Sequence, residues 1–162
     1  MKFETKRFLL KKITQKNATE DYLSWLQYFG KDGQRIIRQT QNSKKNLKQY
    51  IKFKNQKTNV IFLAIYLKSN LRHIGNIKFE PIDLIKKQAT LGVLIGDPKW
   101  RSKKVFPEIL NCLELYLKNK IKIRKITLGV GRKNSHAIHV YKRNGFKIIK
   151  DNKNSHIMMK KL

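Results

Sequence analysis

The sequence of 162 residues predicts an α/β fold, and two patterns indicate it. Stretches in which apolar residues alternate with polar ones, typical of strands, are interleaved with stretches in which apolar residues recur every three or four positions, typical of helices. In the middle of the chain, the apolar stretch Leu91–Ile95 is followed by a basic loop and then by an amphipathic helix. The predicted order is strand, two helices, three strands, helix, strand, helix and two strands, in a single domain spanning residues 1–162.

The boundaries of the first elements follow from capping residues and from proline. Ser43 is expected to cap the second helix, because a serine side chain there can accept a hydrogen bond from the first turn. Thr19 or Asn17 would cap the first helix. Pro81 is expected to end the third strand, since it lacks the N–H group that a ladder needs. The segment Arg35–Thr40 fits either a short helix or an irregular loop. The predicted elements are the strand Arg7–Ile13, the helices Asp21–Phe29 and Lys44–Lys54, and the strands Asn59–Lys68 and His73–Phe79.

The second half is centred on one amphipathic helix. Its apolar residues follow the spacing i, i+3, i+4, i+7 and i+11, which places them on one buried face. Gly145 stands where helices commonly end in a left-handed residue. The apolar face consists of Phe106, Ile109, Leu110, Leu113 and Leu117. The predicted elements are the strand Ala89–Ile95, this helix as far as Asn119, the strand Lys125–Val130, the helix Asn134–Asn144, and the strands Phe146–Lys150 and His156–Lys160.

The basic loop before the central helix predicts an anion site. The first turn of a helix has unpaired backbone N–H groups and a partial positive charge, together worth roughly 0.3 to 2 kcal/mol for a well-placed anion. Arg101, Lys103 and Lys104 add positive charge at this point. The alternative is a solvated basic loop, which is common in a protein this basic.

Composition excludes several classes of protein. The single cysteine, Cys112, cannot form an internal disulfide, and no Cys/His pair has the spacing of a zinc site. The longest apolar runs, such as Val60–Leu67, are far shorter than the roughly 18 residues that span a membrane, and the N-terminus does not resemble a signal peptide. We therefore expect a cytoplasmic protein without a membrane segment or a metal.

The net charge of +28, from 38 Lys+Arg against 10 Asp+Glu, is unusual. Such a charge attracts polyanions such as nucleotides, RNA or an anionic surface. Lysine, asparagine and isoleucine are all abundant, however, which also fits a coding sequence rich in A and T. Both explanations of the charge are open at this point, and the sequence does not indicate an oligomeric state.

Several motifs near the basic loop resemble the acetyl-CoA half of the GNAT N-acetyltransferases. They are Trp100–Val105, Ile126–Val130, and the series Asn134, Ala137, Tyr141 and Gly145–Phe146. The resemblance implies the GNAT acyl-CoA N-acyltransferase fold, which has a mixed, mostly antiparallel twisted sheet of about seven strands and four helices. It also implies that the strands Ala89–Ile95 and Lys125–Val130 splay apart. Acetyl-CoA would be the acyl-donor substrate, and no metal or prosthetic group is implied.

The resemblance also implies a coenzyme site. The pantetheine arm would bond to the backbone of Val93, Leu94 and Ile95. The pyrophosphate would lie on the family loop Arg/Gln-x-x-Gly-x-Gly/Ala, which here reads Arg101, Ser102, Lys103, Lys104, Val105 and Phe106. Lys104 and Phe106 take the two glycine or alanine places, and Ser102 stands where many relatives have glycine. Lys104 offers its ammonium to a phosphate, whereas Phe106 brings a bulky ring near the helix start, so a retained and an altered site are both open.

The resemblance assigns roles to three further side chains. Tyr141 would be the general acid that protonates the leaving thiolate of coenzyme A. Asn134 would bond to the pantetheine or cap its own helix. Relatives often have an acid where this chain has Thr90, and Glu80 is the nearest replacement as a general base. His73 and Asp97 are weaker choices for the base, and a water chain is a further one.

The acceptor is predicted from two shorter stretches. Tyr22–Leu26 and His73–Lys78 resemble acetyltransferases that act on amino sugars of nucleotide-sugar pathways, and more distantly those that act on protein N-termini. We therefore expect a small amine acceptor, linked to a nucleotide, with a protein or peptide N-terminus as the alternative. A GNAT-like module without coenzyme, binding nucleic acid or a partner protein, is the alternative of another class.

Overall fold

The computed structural model describes residues 1–29 and 43–162. Its central element is an eight-stranded sheet, counted over these residues, flanked by helices on both faces. The strands are β1 Lys2–Glu4, β2 Phe8–Lys12, β3 Ile61–Leu67, β4 His73–Asp83, β5 Gln88–Ile95, β6 Lys125–Gly131, β7 Lys147–Asp151 and β8 Ser155–Lys161. The α-helices are α1 Glu20–Phe29, α2 Lys44–Asn55, α3 Val105–Asn119 and α4 Ser135–Arg143. In the described part of the chain, two short 3₁₀ turns lie at Gln15–Asn17 and Pro98–Trp100.

The strand order in the sheet is β1-β2-β3-β4-β5-β6-β8-β7. Neighbouring strands pair antiparallel, except that β5 and β6 pair in parallel. The connection between the two parallel strands is α3, as expected because a parallel pair needs a crossover. The predicted α/β fold, with its mixed and mostly antiparallel sheet, is therefore confirmed.

Of the helices named above, a different pair covers each face of the sheet. In β3 the side chains of Leu63 and Ile65 join the core with α3, whereas those of Phe62 and Ala64 join the core with α1 and α2. This alternation follows from the period of two along a strand. The larger core contains every predicted apolar residue of α3, and α4 packs against it. Helices α3 and α4 thus cover one face, and α1 and α2 cover the other.

Several predicted boundaries are confirmed. The Ser43 side chain accepts a hydrogen bond from the Asn46 amide at 3.2 Å and caps α2. Thr19 rather than Asn17 bonds to the first turn of α1, since its hydroxyl accepts from the Tyr22 amide at 3.2 Å. Gly145 has φ of +88° and follows Asn144, the C-cap of α4. The segment Arg35–Thr40 lies outside the described residues.

Two predictions about strands were wrong. The short strand β1 precedes the predicted first strand and pairs with it from Lys2↔Lys11 to Glu4↔Leu9. In addition, β4 does not end at Pro81 but continues to Asp83. The β4–β5 register is interrupted between Phe79 and Ile82, so Pro81 sits where no ladder bond is required of it.

No helix within residues 1–29 and 43–162 has the length and apolar character to cross a membrane. Cys112 is a free thiol on α3, partly exposed, and its sulfur lies 3.8 Å from the Glu4 carbonyl oxygen.

Candidate active site

Strands β5 and β6 separate part-way along their length. Within residues 43–162, their last parallel pair joins Thr90 to Thr127. On its other edge β5 remains paired with β4 as far as Ile95. The backbone of Val93, Leu94 and Ile95 therefore borders a gap between the two strands. The predicted splay is confirmed, and these three residues lie where a pantetheine arm could bond to main-chain groups.

The loop after β5 contains two left-handed residues that are not glycine. Ser102 has φ of 59°, and Lys104 has φ of 56° and ψ of 30° at the N-cap of α3. A non-glycine residue in this conformation costs roughly 1 to 2 kcal/mol. Lys104 takes a glycine place of the GNAT pattern, and Ser102 stands where many relatives have glycine. At both positions the chain adopts a backbone conformation that glycine would reach without strain.

The first turn of α3 offers backbone N–H groups to an anion. Lys104 makes no side-chain cap hydrogen bond to this turn. The amides of Val105 and Phe106 therefore lie at an uncapped helix N-terminus with a partial positive charge. Their side chains are buried, and the Phe106 ring packs edge-on against Tyr141 with the ring centroids 5.3 Å apart. The Phe106 ring thus fills the core, and only its backbone is placed for an anion.

The cations of the loop divide into two groups. The Arg101 guanidinium donates to the Gly96 carbonyl at 2.8 Å, and it lies 4.4 Å from the centroid of the Tyr28 ring. Such stacking is favourable for an arginine over an aromatic face. Lys103 and Lys104 are exposed. Arg101 therefore ties the end of β5 to α1, whereas Lys103 and Lys104 bring positive charge to the surface of the site.

A carboxylate in the first turn of α3 is a feature that the sequence analysis missed. Glu108 accepts hydrogen bonds from the Thr5 hydroxyl at 2.6 Å, from the Arg7 amide at 2.8 Å and from Arg7 Nε at 2.7 Å. Burial alone would raise the pKa of Glu108, but the hydrogen bonds from Thr5 and Arg7 lower it overall. The ionised carboxylate is thus neutralised by Arg7. Local sequence patterns could not have paired these residues, since they are 101 positions apart.

Tyr141 lies on α4 between two aromatic rings. Its ring centroid is 5.3 Å from that of Phe106 and 5.9 Å from that of Phe146. It packs on the same core as Val93 and Ile95, which border the gap. Burial raises the pKa of Tyr141 to about 12, so the phenol remains protonated at neutral pH. A protonated phenol on the α3–α4 side of the sheet, near the gap between β5 and β6, can act as a proton donor.

Asn134 caps the helix that carries Tyr141. Its side-chain oxygen accepts a hydrogen bond from the Ala137 amide at 3.1 Å. Asn134 is exposed, so its side-chain NH₂ group can still donate to a ligand. Capping is therefore observed, and contact with pantetheine stays a prediction.

Glu80 lies on the α1–α2 side of the sheet, between two lysines. Its carboxylate pairs with Lys54 of α2 and, at 2.6 Å, with Lys78 of β4. Burial alone would raise the pKa of Glu80, but the hydrogen bonds from Lys54 and Lys78 lower it overall. A carboxylate with a lowered pKa is a weak base, so Glu80 would have to lose a lysine partner before it could accept a proton. Its role as the general base stays a prediction.

His73 is surrounded by aromatic rings on the same side. Its ring centroid lies 5.2 to 6.0 Å from those of Tyr22, Trp25 and Tyr66. Nε2 is 3.0 Å from the Asn76 side-chain oxygen. Burial lowers the pKa of His73, which leaves the ring neutral at neutral pH. His73 can therefore accept a proton, but its surroundings restrict access to it.

Hydroxyl groups lie at the point where β5 and β6 separate. Thr90 and Thr127 place their hydroxyl oxygens 3.3 Å apart, and the Gln88 side-chain amide donates to Thr127 at 3.3 Å. Gly92 is two residues beyond Thr90 and hence on the same face. A Cβ atom at Gly92 would meet no heavy atom within 4 Å, so the space above it is open. An amine could approach the gap from this side, and the threonines could hold it or a water molecule. Thr90 was indicated by the sequence pattern, whereas Thr127 and Gln88 were not.

A cavity of about 360 Å³ lies between α1 and the loop after β5. At its edge the buried Asp97 accepts a hydrogen bond from the Lys99 amide at 3.0 Å and pairs with Arg72 at 3.1 Å. These contacts give Asp97 a structural role in shaping the loop. The cavity is lined by Asp21, Ser24, Trp25, Tyr28, Arg72, Asp97, Pro98 and Arg101. Within residues 1–29 and 43–162, no three His, Cys, Asp or Glu side chains are grouped so that they could hold a metal ion.

Comparison with solved structures gives matches over nearly the whole chain. The PaiA N-acetyltransferase from Thermoplasma acidophilum, solved in complex with coenzyme A, is 25% identical with a TM-score of 0.75, and the match covers 96% of this chain and 99% of that one. The ribosomal-protein-S5-alanine acetyltransferase from Vibrio fischeri is 14% identical with a TM-score of 0.75, covering 99% and 96%. The spermidine/spermine N-acetyltransferase SpeG from Vibrio cholerae is 14% identical with a TM-score of 0.70, covering 96% and 92%. The last two likenesses show the fold alone.

Sequence comparison identifies the family. A search of curated proteins found no significant match. A family profile described as an acetyltransferase (GNAT) domain matches residues 7–147, which include the gap between β5 and β6, the loop with Lys104, and Tyr141. The strand gap, the uncapped helix N-terminus and the protonated tyrosine thus occur together in a chain that belongs to the GNAT acetyltransferase family.

Proposed function

We propose that this GNAT N-acetyltransferase transfers the acetyl group of acetyl-CoA to a primary amine on an anionic acceptor, in the first place an amino sugar linked to a nucleotide. The observation that carries the choice of acceptor is the net charge of +28. A field of this sign raises the local concentration of an anionic substrate and its association rate. It disfavours a cationic polyamine for the same reason.

The residues of the site support direct transfer between the two substrates. The first turn of α3, with Lys103 and Lys104, would hold the diphosphate of the donor, and the open edge of β5 would hold its pantetheine arm. The attacking amine must be unprotonated, and it gives up a proton as the C–N bond forms. Tyr141 would donate a proton to sulfur as the C–S bond breaks, so the coenzyme departs as a thiol rather than a thiolate, and the phenolate of Tyr141 would then take a proton from solvent.

The base that receives the amine proton is Glu80 or a water held near Thr90. Glu80→Gln tests the two alternatives. If Glu80 is the base, kcat should fall by about 10² or more, since this is the usual size of general-base help. If water at Thr90 serves, kcat should change by less than about threefold. The matched control is Glu20→Gln, because Glu20 forms an exposed ion pair with Lys44 on the outer side of α1 and α2.

The acceptor proposal is tested in two steps. Calorimetry with acetyl-CoA at low and moderate salt comes first, and micromolar binding is expected at both. Initial rates are then compared for a UDP-linked amino sugar, the same amino sugar without the nucleotide, and spermidine. We expect the highest kcat/KM for the UDP-linked sugar, with an advantage over the free sugar that shrinks as salt screens the charge. Equal values for the two sugars, or a preference for spermidine, would contradict the proposal.

A protein N-terminus is the second candidate. It is favoured by the structural likeness to a protein named as a ribosomal-protein-alanine acetyltransferase. The positive charge would also assist approach to a target surrounded by RNA. An alanine-initiated peptide in the same rate assay distinguishes this candidate from the amino sugar. A protein that binds no acetyl-CoA, yet binds RNA with a steep salt dependence, would instead be a GNAT-like nucleic-acid module.

A further inference from the structure

The β1–β2 turn is joined to the loop at the start of α3 through the side chain of Arg7. The backbone amide and Nε of Arg7 both donate to Glu108, at 2.8 and 2.7 Å. Its Nη2 donates to the carbonyl of Lys104 at 3.3 Å. The guanidinium carbon also lies 4.8 Å from the ring centroid of Phe8 and 5.9 Å from that of Trp100. One planar group therefore contacts the helix, the loop and the sheet.

The carbonyl that Arg7 contacts belongs to a residue whose conformation needs support. Lys104 is left-handed, with φ of 56° and ψ of 30°, although its side chain disfavours that region. The orientation of the peptide group between Lys104 and Val105 fixes where the Val105 N–H group points. The Phe106 N–H group follows it in the first turn of α3. A hydrogen bond to the Lys104 carbonyl from a guanidinium that is itself fixed by Glu108 would favour this orientation over a right-handed alternative.

We propose that Arg7 is a positioning residue for the diphosphate site of the coenzyme, because it holds Lys104 in the left-handed conformation that glycine would adopt unaided. This inference rests on the proposed use of acetyl-CoA at the α3 N-terminus. Arg7 need not touch the ligand to act in this way. It also neutralises Glu108, whose charge would otherwise oppose an anion in the first turn of the helix.

The experiment is a set of double mutants read out by the affinity for coenzyme A. Arg7→Lys keeps the charge but removes the planar fork that reaches Glu108 and Lys104 together. It is made in the wild type, in Lys104→Ala and in Lys104→Gly. Lys104→Ala loses the ammonium and keeps the Cβ atom, whereas Lys104→Gly loses both, so the comparison isolates the backbone effect.

We expect Arg7→Lys to weaken coenzyme A binding about tenfold in the wild type and in Lys104→Ala, which corresponds to 1.4 kcal/mol. In Lys104→Gly the same change should cost less than about twofold, because glycine needs no support at that φ. KM for acetylpantetheine, a donor without the diphosphate, should not change with Arg7→Lys. An equal loss in all three backgrounds, or an equal rise in KM for acetylpantetheine, would overturn the proposal and leave Arg7 with a general structural role.

Two further measurements distinguish a failure of the proposed function from a failure of the role proposed for Arg7. Coenzyme A binding by the wild type is measured first, and its absence would overturn the proposed function rather than the role of Arg7 within it. Should Arg7→Lys fail to fold, Glu108→Gln replaces it in the same three backgrounds. That variant weakens the anchor of Arg7 while preserving shape, and it also removes a negative charge, whose effect on an anion is the same in all three backgrounds. We therefore expect the affinity to fall about threefold more in the wild type and in Lys104→Ala than in Lys104→Gly. An equal change in all three backgrounds would contradict the proposal.

Discussion

Two left-handed stretches of backbone flank the candidate site, and they differ in the residues that form them. After α4, the left-handed position is Gly145, which reaches φ of +88° without a Cβ atom. Before α3, the left-handed positions are Ser102 and Lys104. The α4 segment therefore sets its geometry with its own residues, whereas the loop before α3 depends on contacts from Arg7. A left-handed backbone can thus be reached either by a glycine or by a larger residue that a distant side chain contacts.

The largest expected effect belongs to the α4 segment. Tyr141→Phe should lower kcat by about 10², the low end of acid–base catalysis, because a thiolate is already a tolerable leaving group. KM for acetyl-CoA should change little, since the phenyl ring still packs between Phe106 and Phe146. Steady-state rates, with a thermal unfolding curve for each protein, are the measurement.

The pKa of Tyr141 gives this prediction a second readout. With the pKa raised to about 12 by burial, the phenol stays protonated up to about pH 10. The wild-type rate should therefore show no alkaline decline from Tyr141 below that pH. An unchanged kcat in Tyr141→Phe would show that Tyr141 is not the proton donor. The α4 segment would then have a structural role only.

The glycine after α4 is tested by Gly145→Ala. An alanine at this position would have to adopt a positive φ. Its Cβ atom would lie 3.3 Å from the Lys160 side chain, which is flexible enough to move. We expect a loss of roughly 1 to 2 kcal/mol in the free energy of unfolding, from the backbone strain alone. Chemical denaturation measures it. Gly131→Ala is the matched control, because a Cβ atom there meets no heavy atom within 4 Å and the position is not left-handed. Equal losses in the two variants would show that φ is not the cause.

The fold could be predicted from the sequence largely because its determinants are local. The apolar face of α3, the Ser43 cap and Gly145 each act within a few residues, and each was found where expected. The strand β1 was missed because three residues on a sheet edge carry too short a pattern. The continuation of β4 through Pro81 was missed for another reason. The interrupted register with β5 removes the need for an N–H group at Pro81, and this register depends on both strands, so the sequence around Pro81 alone does not show it.

The site was less predictable because its decisive contacts are distant in sequence. The resemblance indicated the loop and Tyr141, but it gave no reason to pair Arg7 with Glu108 across 101 positions. It placed Phe106 near the helix start without revealing that the ring turns into the core beside Tyr141. The pairing of Glu80 with Lys54 was equally invisible, since Lys54 lies 26 positions before it on α2.

Acid should weaken the support of the loop before α3. The pKa of Glu108 is lowered in the folded state, because the hydrogen bonds from Thr5 and Arg7 outweigh burial. Its ionised form therefore contributes stability above its ordinary pKa of about 4.3, and this contribution is lost as the pH falls through the lower, folded value. We expect Glu108→Gln to have a lower Tm than the wild type at pH 7, with a difference that narrows progressively below about pH 4.5. A difference independent of pH would mean that the charge of Glu108 does not contribute.

The smallest effect is expected at the other left-handed residue of the loop. Ser102 is exposed and has φ of 59°, so Ser102→Gly removes the steric cost of its Cβ atom. The greater freedom of glycine in the unfolded chain offsets part of this gain, and we expect a net stabilisation of up to about 1 kcal/mol. Ser135→Gly, at the first position of α4, is the control and should lose up to about 0.5 kcal/mol, because glycine is less favourable than serine in a helix. Chemical denaturation of both variants shows whether each one raises or lowers the free energy of unfolding. If Ser102→Gly were destabilising by as much as the control, contacts of the serine side chain would favour its left-handed conformation. The loop would then set its geometry with its own residues, as the α4 segment does, rather than through Arg7.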